Sequence, residues 1–102
     1  MSVRVLRNNE FNSLFMRLVD SKLEYGPERA NLFIETFEEK LTLIERFPSL
    51  GTLSAYSNQK GVAYRKIRVC DALLFYSYEA TDETIRLGYI FNEREDYDFM
   101  LR

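Results

Sequence analysis

Residues 61–69 read GVAYRKIRV, residues 71–84 DALLFYSYEATDET and residues 85–97 IRLGYIFNEREDY. In the first, Tyr64, Lys66 and Arg68 fall on one phase of an alternating pattern and Ala63, Arg65, Ile67 and Val69 on the other. A period of two is the mark of an extended chain whose side chains point to opposite sides. In the last, Ile85, Leu87, Tyr89 and Phe91 alternate with Arg86 and Gly88. Between them, LLFYSY at 73–78 is apolar on both phases, as a central strand should be. Asp71-Ala72 and Thr81-Asp82-Glu83 supply the turns. Three consecutive strands and then a charged tail follow, and the stretch holds Arg65, Lys66, Arg68, Arg86 and Arg94, nearly all the basic charge of the second half of the chain.

Working outward, Val3 and Val5 alternate with Arg4, which predicts a short strand over 2–7. Asn8 and Asn9 offer N-cap side chains. Phe11, Leu14, Phe15, Leu18 and Val19 then form one apolar face of a helix over about 10–23. Tyr25-Gly26-Pro27 interrupts it, and Pro27 suits the first turn of a second helix. Ala30, Ile34, Phe37, Leu41 and Ile44 carry that helix for about 30 Å, until Pro48 denies Phe47 the α region. Residues 49–61 read as a loop, and 92–102 as a charged tail with Tyr97, Phe99, Met100 and Leu101. The order β-α-α-β-β-β predicts an α+β fold in one domain, 1–102. A helical hairpin would cover one face of a small, mostly antiparallel sheet. The other face, bearing Lys66 and Arg68, would be open.

Composition narrows the chemistry. With 102 residues, 46% hydrophobic and 15% aromatic, the chain can bury one modest core. It has no histidine and one cysteine, Cys70, which excludes disulfides, His-based zinc sites and Ser-His or Cys-His triads. No metal or other cofactor is expected. Neither a secretory h-region nor an apolar run of about 20 residues is present, so a cytoplasmic protein without membrane contact is expected. The net charge of −2 argues against broad nucleic-acid binding, though a local basic patch on an acidic protein is compatible with it.

The helical hairpin ends in Phe47-Pro48-Ser49-Leu50-Gly51; a strand opens with Tyr64-Arg65-Lys66-Ile67-Arg68-Val69; the next carries Leu74-Phe75-Tyr76; the last runs into Arg94-Glu95-Asp96-Tyr97. This ordered set resembles the RelE/ParE superfamily, the small toxins of type II toxin–antitoxin modules, over essentially the whole chain. The resemblance implies a growth inhibitor held in a hetero-oligomer by a cognate antitoxin. It implies one of two targets: the ribosome with its mRNA, which RelE-like members cut in the A site, or DNA gyrase, which ParE-like members inhibit. For RNA cleavage, Lys66 and Arg68 match the first-strand basic pair, and Arg94 with Tyr97 roughly match the tail pair. These four would be catalytic, without a metal. Two departures stand against it: Leu73 in place of a second-strand arginine, and Phe91-Asn92 where many relatives carry a histidine. The long second helix, the Phe-Pro-x-Leu-Gly ending, Arg65 and Arg94-Glu95-Asp96 fit the ParE-like branch better. A target-binding set of Arg65, Lys66, Arg68, Arg86 and Arg94 is then expected. A non-toxic protein-binding module is the third reading.

Blander roles compete at each position. Lys66 and Arg68 fit equally as solvated residues of an outward face. Arg65, on the inward phase, is expected to pair with a tail carboxylate such as Asp96. Arg86 is the weaker binding candidate, and Arg94 and Tyr97 serve equally as tail-docking residues. Glu93 could act as a general base only if desolvation raised its pKa. Tyr64, Tyr76, Tyr78 and Tyr89 are expected in the core rather than stacked on bases. Cys70 is expected as a small packing residue.

Overall fold

The computed structural model describes residues 3–54 and 63–93. Along the chain run β1 (Arg4–Arg7), α1 (Asn9–Leu23), α2 (Pro27–Arg46), β2 (Thr52–Leu53), β3 (Arg65–Val69), β4 (Ala72–Glu79) and β5 (Thr84–Asn92). The strands form one sheet in the order β1-β5-β4-β3-β2. β1 runs parallel to β5, and the other pairs are antiparallel. The expected α+β sandwich is the observed one, with β2 added: two residues of the expected loop pair with Arg65 and Lys66.

Local chemistry sets the helix ends. Asn8 caps α1, its Oδ1 accepting from the Phe11 N–H at 2.7 Å and so satisfying one of the orphan donors of the first turn. Gly26, at φ +113°, turns the chain with a backbone that glycine alone adopts cheaply, and Pro27 then opens α2. The helices meet through rings. Phe11, Phe15, Phe33 and Phe37 form a continuous cluster with centroids 4.5–6.2 Å apart. Three of the four are fully buried, and each buried phenylalanine is worth roughly 1.5–3 kcal/mol of transfer free energy. Val69, Ala72, Leu74, Tyr76, Ile85, Leu87 and Ile90 complete this core from the sheet side.

The pleat changes phase on β5. Phe75 pairs with Tyr89 but Tyr76 with Leu87, so Gly88 is the extra residue of a β-bulge. The expectation that Ile85, Leu87, Tyr89 and Phe91 share a face is corrected here. Leu87 and Ile90 face the helices, while Tyr89 and Phe91 turn to the outer side. The bulge has a tenant: a Cβ on Gly88 would lie 2.8 Å from Cε1 of Tyr64, whose ring rests on that backbone. A second correction concerns Cys70. It is exposed, in a two-residue turn with φ +54°, because Val69 pairs directly with Ala72 and the chain must reverse between them.

Candidate functional site

The Phe-Pro-x-Leu-Gly segment is a lock on the helical side of the sheet. The Tyr76 hydroxyl donates to the Pro48 carbonyl and accepts from the Gly51 N–H, both at 2.8 Å. Arg65 Nη1 donates to the Gly51 carbonyl at 2.8 Å, with a longer contact of 3.4 Å to the Ser49 carbonyl. Gly51 is buried and has no room for a side chain: a Cβ would lie 2.8 Å from the Tyr76 hydroxyl and 2.9 Å from the Lys66 carbonyl. Thus Pro48 ends α2, and the following residues are seated by a phenol from β4 and a guanidinium from β3. Burial raises the Tyr76 pKa above the ordinary phenol range, against partial relief from Gly51 and Arg65. The hydroxyl therefore stays protonated and keeps both bonds.

Arg65 is half-buried in this lock. Its partners are backbone carbonyls; Asp96, the carboxylate expected for it, lies outside the described residues, as do Arg94 and Tyr97. Of the expected target-binding set, Lys66, Arg68 and Arg86 remain on the outer face.

Register builds that face row by row. Arg68 pairs with Leu73, and Leu73 with Phe91; Lys66 pairs with Phe75, and Phe75 with Tyr89. The outer face is thus aromatic down its middle, and along that row it is not the open face expected from the sequence. Phe75 is fully buried and Phe91 2% exposed, with Phe91 edge-on to Phe75 and stacked on Tyr89. Tyr64 meets Tyr89 edge to face at 5.8 Å. Burial, then Tyr89 and Glu10, raise the Tyr64 pKa, so this phenol is a hydrogen-bond donor rather than a base near neutral pH. Arg86 is exposed, pairing with Ser77 on β4 and Leu6 on β1. Two strand spacings, about 10 Å, separate it from the Lys66 strand.

Arg68 is engaged. Its Nη1 and Nη2 donate to Oε2 and Oε1 of Glu93 at 2.5 and 2.6 Å, a bidentate fork on the surface. This hydrogen bonding raises the Arg68 pKa and lowers that of Glu93. The base role considered for Glu93 requires the opposite shift, so its carboxylate is a weaker base than an isolated one. No sequence pattern announced the pair, because β5 and β3 are joined only through β4. Among the described residues no carboxylate pairs with Lys66, and no cluster of three or more His, Cys, Asp or Glu could hold a metal ion.

Among the described residues, a groove of about 300 Å³ takes in Arg86, with Leu6, Arg7, Asn8 and Leu87. Another of about 340 Å³ is lined by Lys22, Arg29, Leu32, Phe33, Cys70 and Asp71, beside the Lys22–Asp71 ion pair that joins α1 to the β3–β4 turn. None of Arg65, Lys66 and Arg68 lines it. Among the described residues Arg68 and Arg86 are exposed and Lys66 is half-buried, a surface arrangement suited to a macromolecule rather than to an enclosed small substrate.

Residues 10–97 match the family model described as the ParE toxin of the type II toxin–antitoxin system, parDE. Among solved structures, the chain is similar to the archaeal RelE–RelB complex from Pyrococcus horikoshii OT3. That match has a TM-score of 0.63 and 15% identity, and covers 93% of this chain and 99% of the other. At that identity the likeness is one of fold. No curated protein matches the sequence.

Proposed function

The chain belongs to the ParE toxin family of type II toxin–antitoxin systems, within the RelE/ParE superfamily, and from that premise we propose that it arrests growth by inhibiting DNA gyrase rather than by cutting mRNA. The observation that carries the choice is the composition of the outer face. Cutting RNA in line requires a base for the 2′-hydroxyl, cations around the phosphorane and an acid for the leaving oxygen. Across from Arg68 stands Leu73, and across from Lys66 stands Phe75. β4 carries no basic residue at all. Arg68 is held by Glu93, and the Tyr64 phenol is pushed away from ionisation. A face whose cations stand only at its edges, one of them already held by a carboxylate, lacks the basic residues that a phosphoryl-transfer site needs.

A cognate antitoxin completes the reading, as RelB accompanies RelE in the archaeal complex. Leu43, Phe47, Leu50 and Leu53 are exposed around the end of α2 and β2, apolar surface of the kind a partner covers. Both toxin and antitoxin would work in the cytoplasm, where gyrase is found. Among the described residues no helix is long and apolar enough to cross a membrane.

The test is DNA supercoiling by purified gyrase with increasing toxin, alongside ribosome-programmed translation with mRNA ends mapped by primer extension. The expected result is lost supercoiling with intact message. A-site cuts that disappear in a Lys66→Ala/Arg68→Ala variant would overturn the proposal in favour of the ribosomal nuclease. Inactivity in both assays would favour a binding module without a toxic target.

A further inference from the structure

We infer that Glu93 is a specificity residue, closing the basic strip of the outer face to phosphodiesters; this rests on the reading that the face serves a protein target. A guanidinium offers two parallel N–H donors, and carboxylate and phosphate groups present the same pair of acceptor oxygens to it. Glu93 fills both positions on Arg68. A nucleic-acid backbone approaching Lys66 and Arg68 must evict that carboxylate and then lie beside its negative charge.

The backbone places Glu93 for this task. Its N–H donates to the Asp71 carbonyl at 2.8 Å, tying the residue just beyond β5 to the turn between β3 and β4. The carboxylate is thereby held next to the end of β3 that carries Arg68. Both side chains are open to water, at 58% and 44% exposure, so the pair is exchangeable rather than a buried structural bond. Lys66, two residues along on the same face, has no competing carboxylate among the described residues. Among the described residues β3 thus gives this strip two cations, Lys66 and Arg68, of which a phosphodiester meets only Lys66 without a competing carboxylate.

The experiment is a double-mutant cycle on the full chain, with E93Q, R68A and R68A/E93Q. Binding of a mixed-sequence single-stranded RNA oligonucleotide is followed by fluorescence anisotropy over a range of salt, with circular dichroism to verify folding. E93Q is expected to bind about two- to fivefold more tightly than the parent. Its salt slope should steepen by about 0.7, one additional phosphate contact on a single strand. Both changes should be clearly smaller in the R68A background, where only the loss of a nearby negative charge remains. An equal gain in both backgrounds, or no gain from E93Q, would overturn the proposal. So would a similar gain from E38Q, which removes a carboxylate from the exposed side of α2. The two readings fail separately: mRNA cutting by the parent protein would refute the gyrase target, whereas a flat cycle would refute only the role of Glu93.

Discussion

Arg65 and Arg68 stand three residues apart on β3 and project to opposite faces of the sheet. On the helical side, Arg65 is half-buried and donates to the carbonyls that follow α2, next to a fully buried tyrosine. On the outer side, Arg68 grips a carboxylate in full contact with water. The guanidinium is the same and its strength is not. Removing a partner in a buried network strands a polar group, whereas removing a partner at the surface hands it to solvent. The first arginine belongs to the architecture, and the second is held at the surface by a carboxylate that water can replace.

The largest effects should come from breaking the helical side. Tyr76→Phe leaves the buried Gly51 N–H without its acceptor and should lower unfolding free energy by about 1–3 kcal/mol, read from the urea midpoint at constant m-value. Gly51→Ala should cost about as much, roughly 1–3 kcal/mol, because its Cβ meets the Lys66 backbone as well as the Tyr76 ring. Arg65→Ala should cost about 1 kcal/mol, less than a buried charged hydrogen bond since the group is half-exposed. Arg65→Lys should recover part of it, since a single nitrogen, Nη1, makes both carbonyl contacts. Arg68→Ala, by contrast, should leave the urea midpoint unchanged within error. A loss as large as that of Arg65→Ala would erase the distinction between the two faces.

Proton linkage sharpens the same comparison. The Tyr76 pKa is raised from the ordinary 10.0, so the unfolded chain releases this proton first as pH rises. Stability should fall above pH about 10, and by less in Tyr76→Phe. Glu93 has the opposite sign. Its folded pKa lies below the ordinary 4.5, so the stabilisation from its pair is present above that value and is lost as pH falls through the lower folded pKa. Carboxyl carbon NMR should show that midpoint returning to the ordinary range in Arg68→Ala, a small effect confined to one residue.

Much of this architecture was legible from residue types alone. Asn8, Gly26-Pro27 and Phe47-Pro48 mark the helix ends because each solves or creates a local backbone problem. The alternation in β3 correctly separates Arg65 from Lys66 and Arg68. What escaped depends on pairing between distant segments. β2 is two residues long and exists only through its hydrogen bonds to β3. The bulge at Gly88 moves Tyr89 and Phe91 to the outer face because it adds one residue to β5 against β4, and the Tyr64 ring leaves no room there for a side chain. Asp96, the partner expected for Arg65, lies outside the described residues, and the two carbonyls of the adjoining segment that serve Arg65 leave no trace in composition. The Arg68–Glu93 fork was hidden for the same reason, since only the sheet order brings those residues together.

The parallel pairing of β1 with β5 has a bearing on how the protein is born. Arg4 and its partner Thr84 are 80 residues apart (84 − 4), an interval of roughly 4–16 s at ribosomal speeds of 5–20 residues per second. The helical hairpin, built on contacts between neighbours in the chain, can form during that wait. β1 cannot, and it must stay unpaired until almost the entire sheet has been synthesised. Closure of the sheet is therefore a late event in every molecule's history, because its first strand waits for its last.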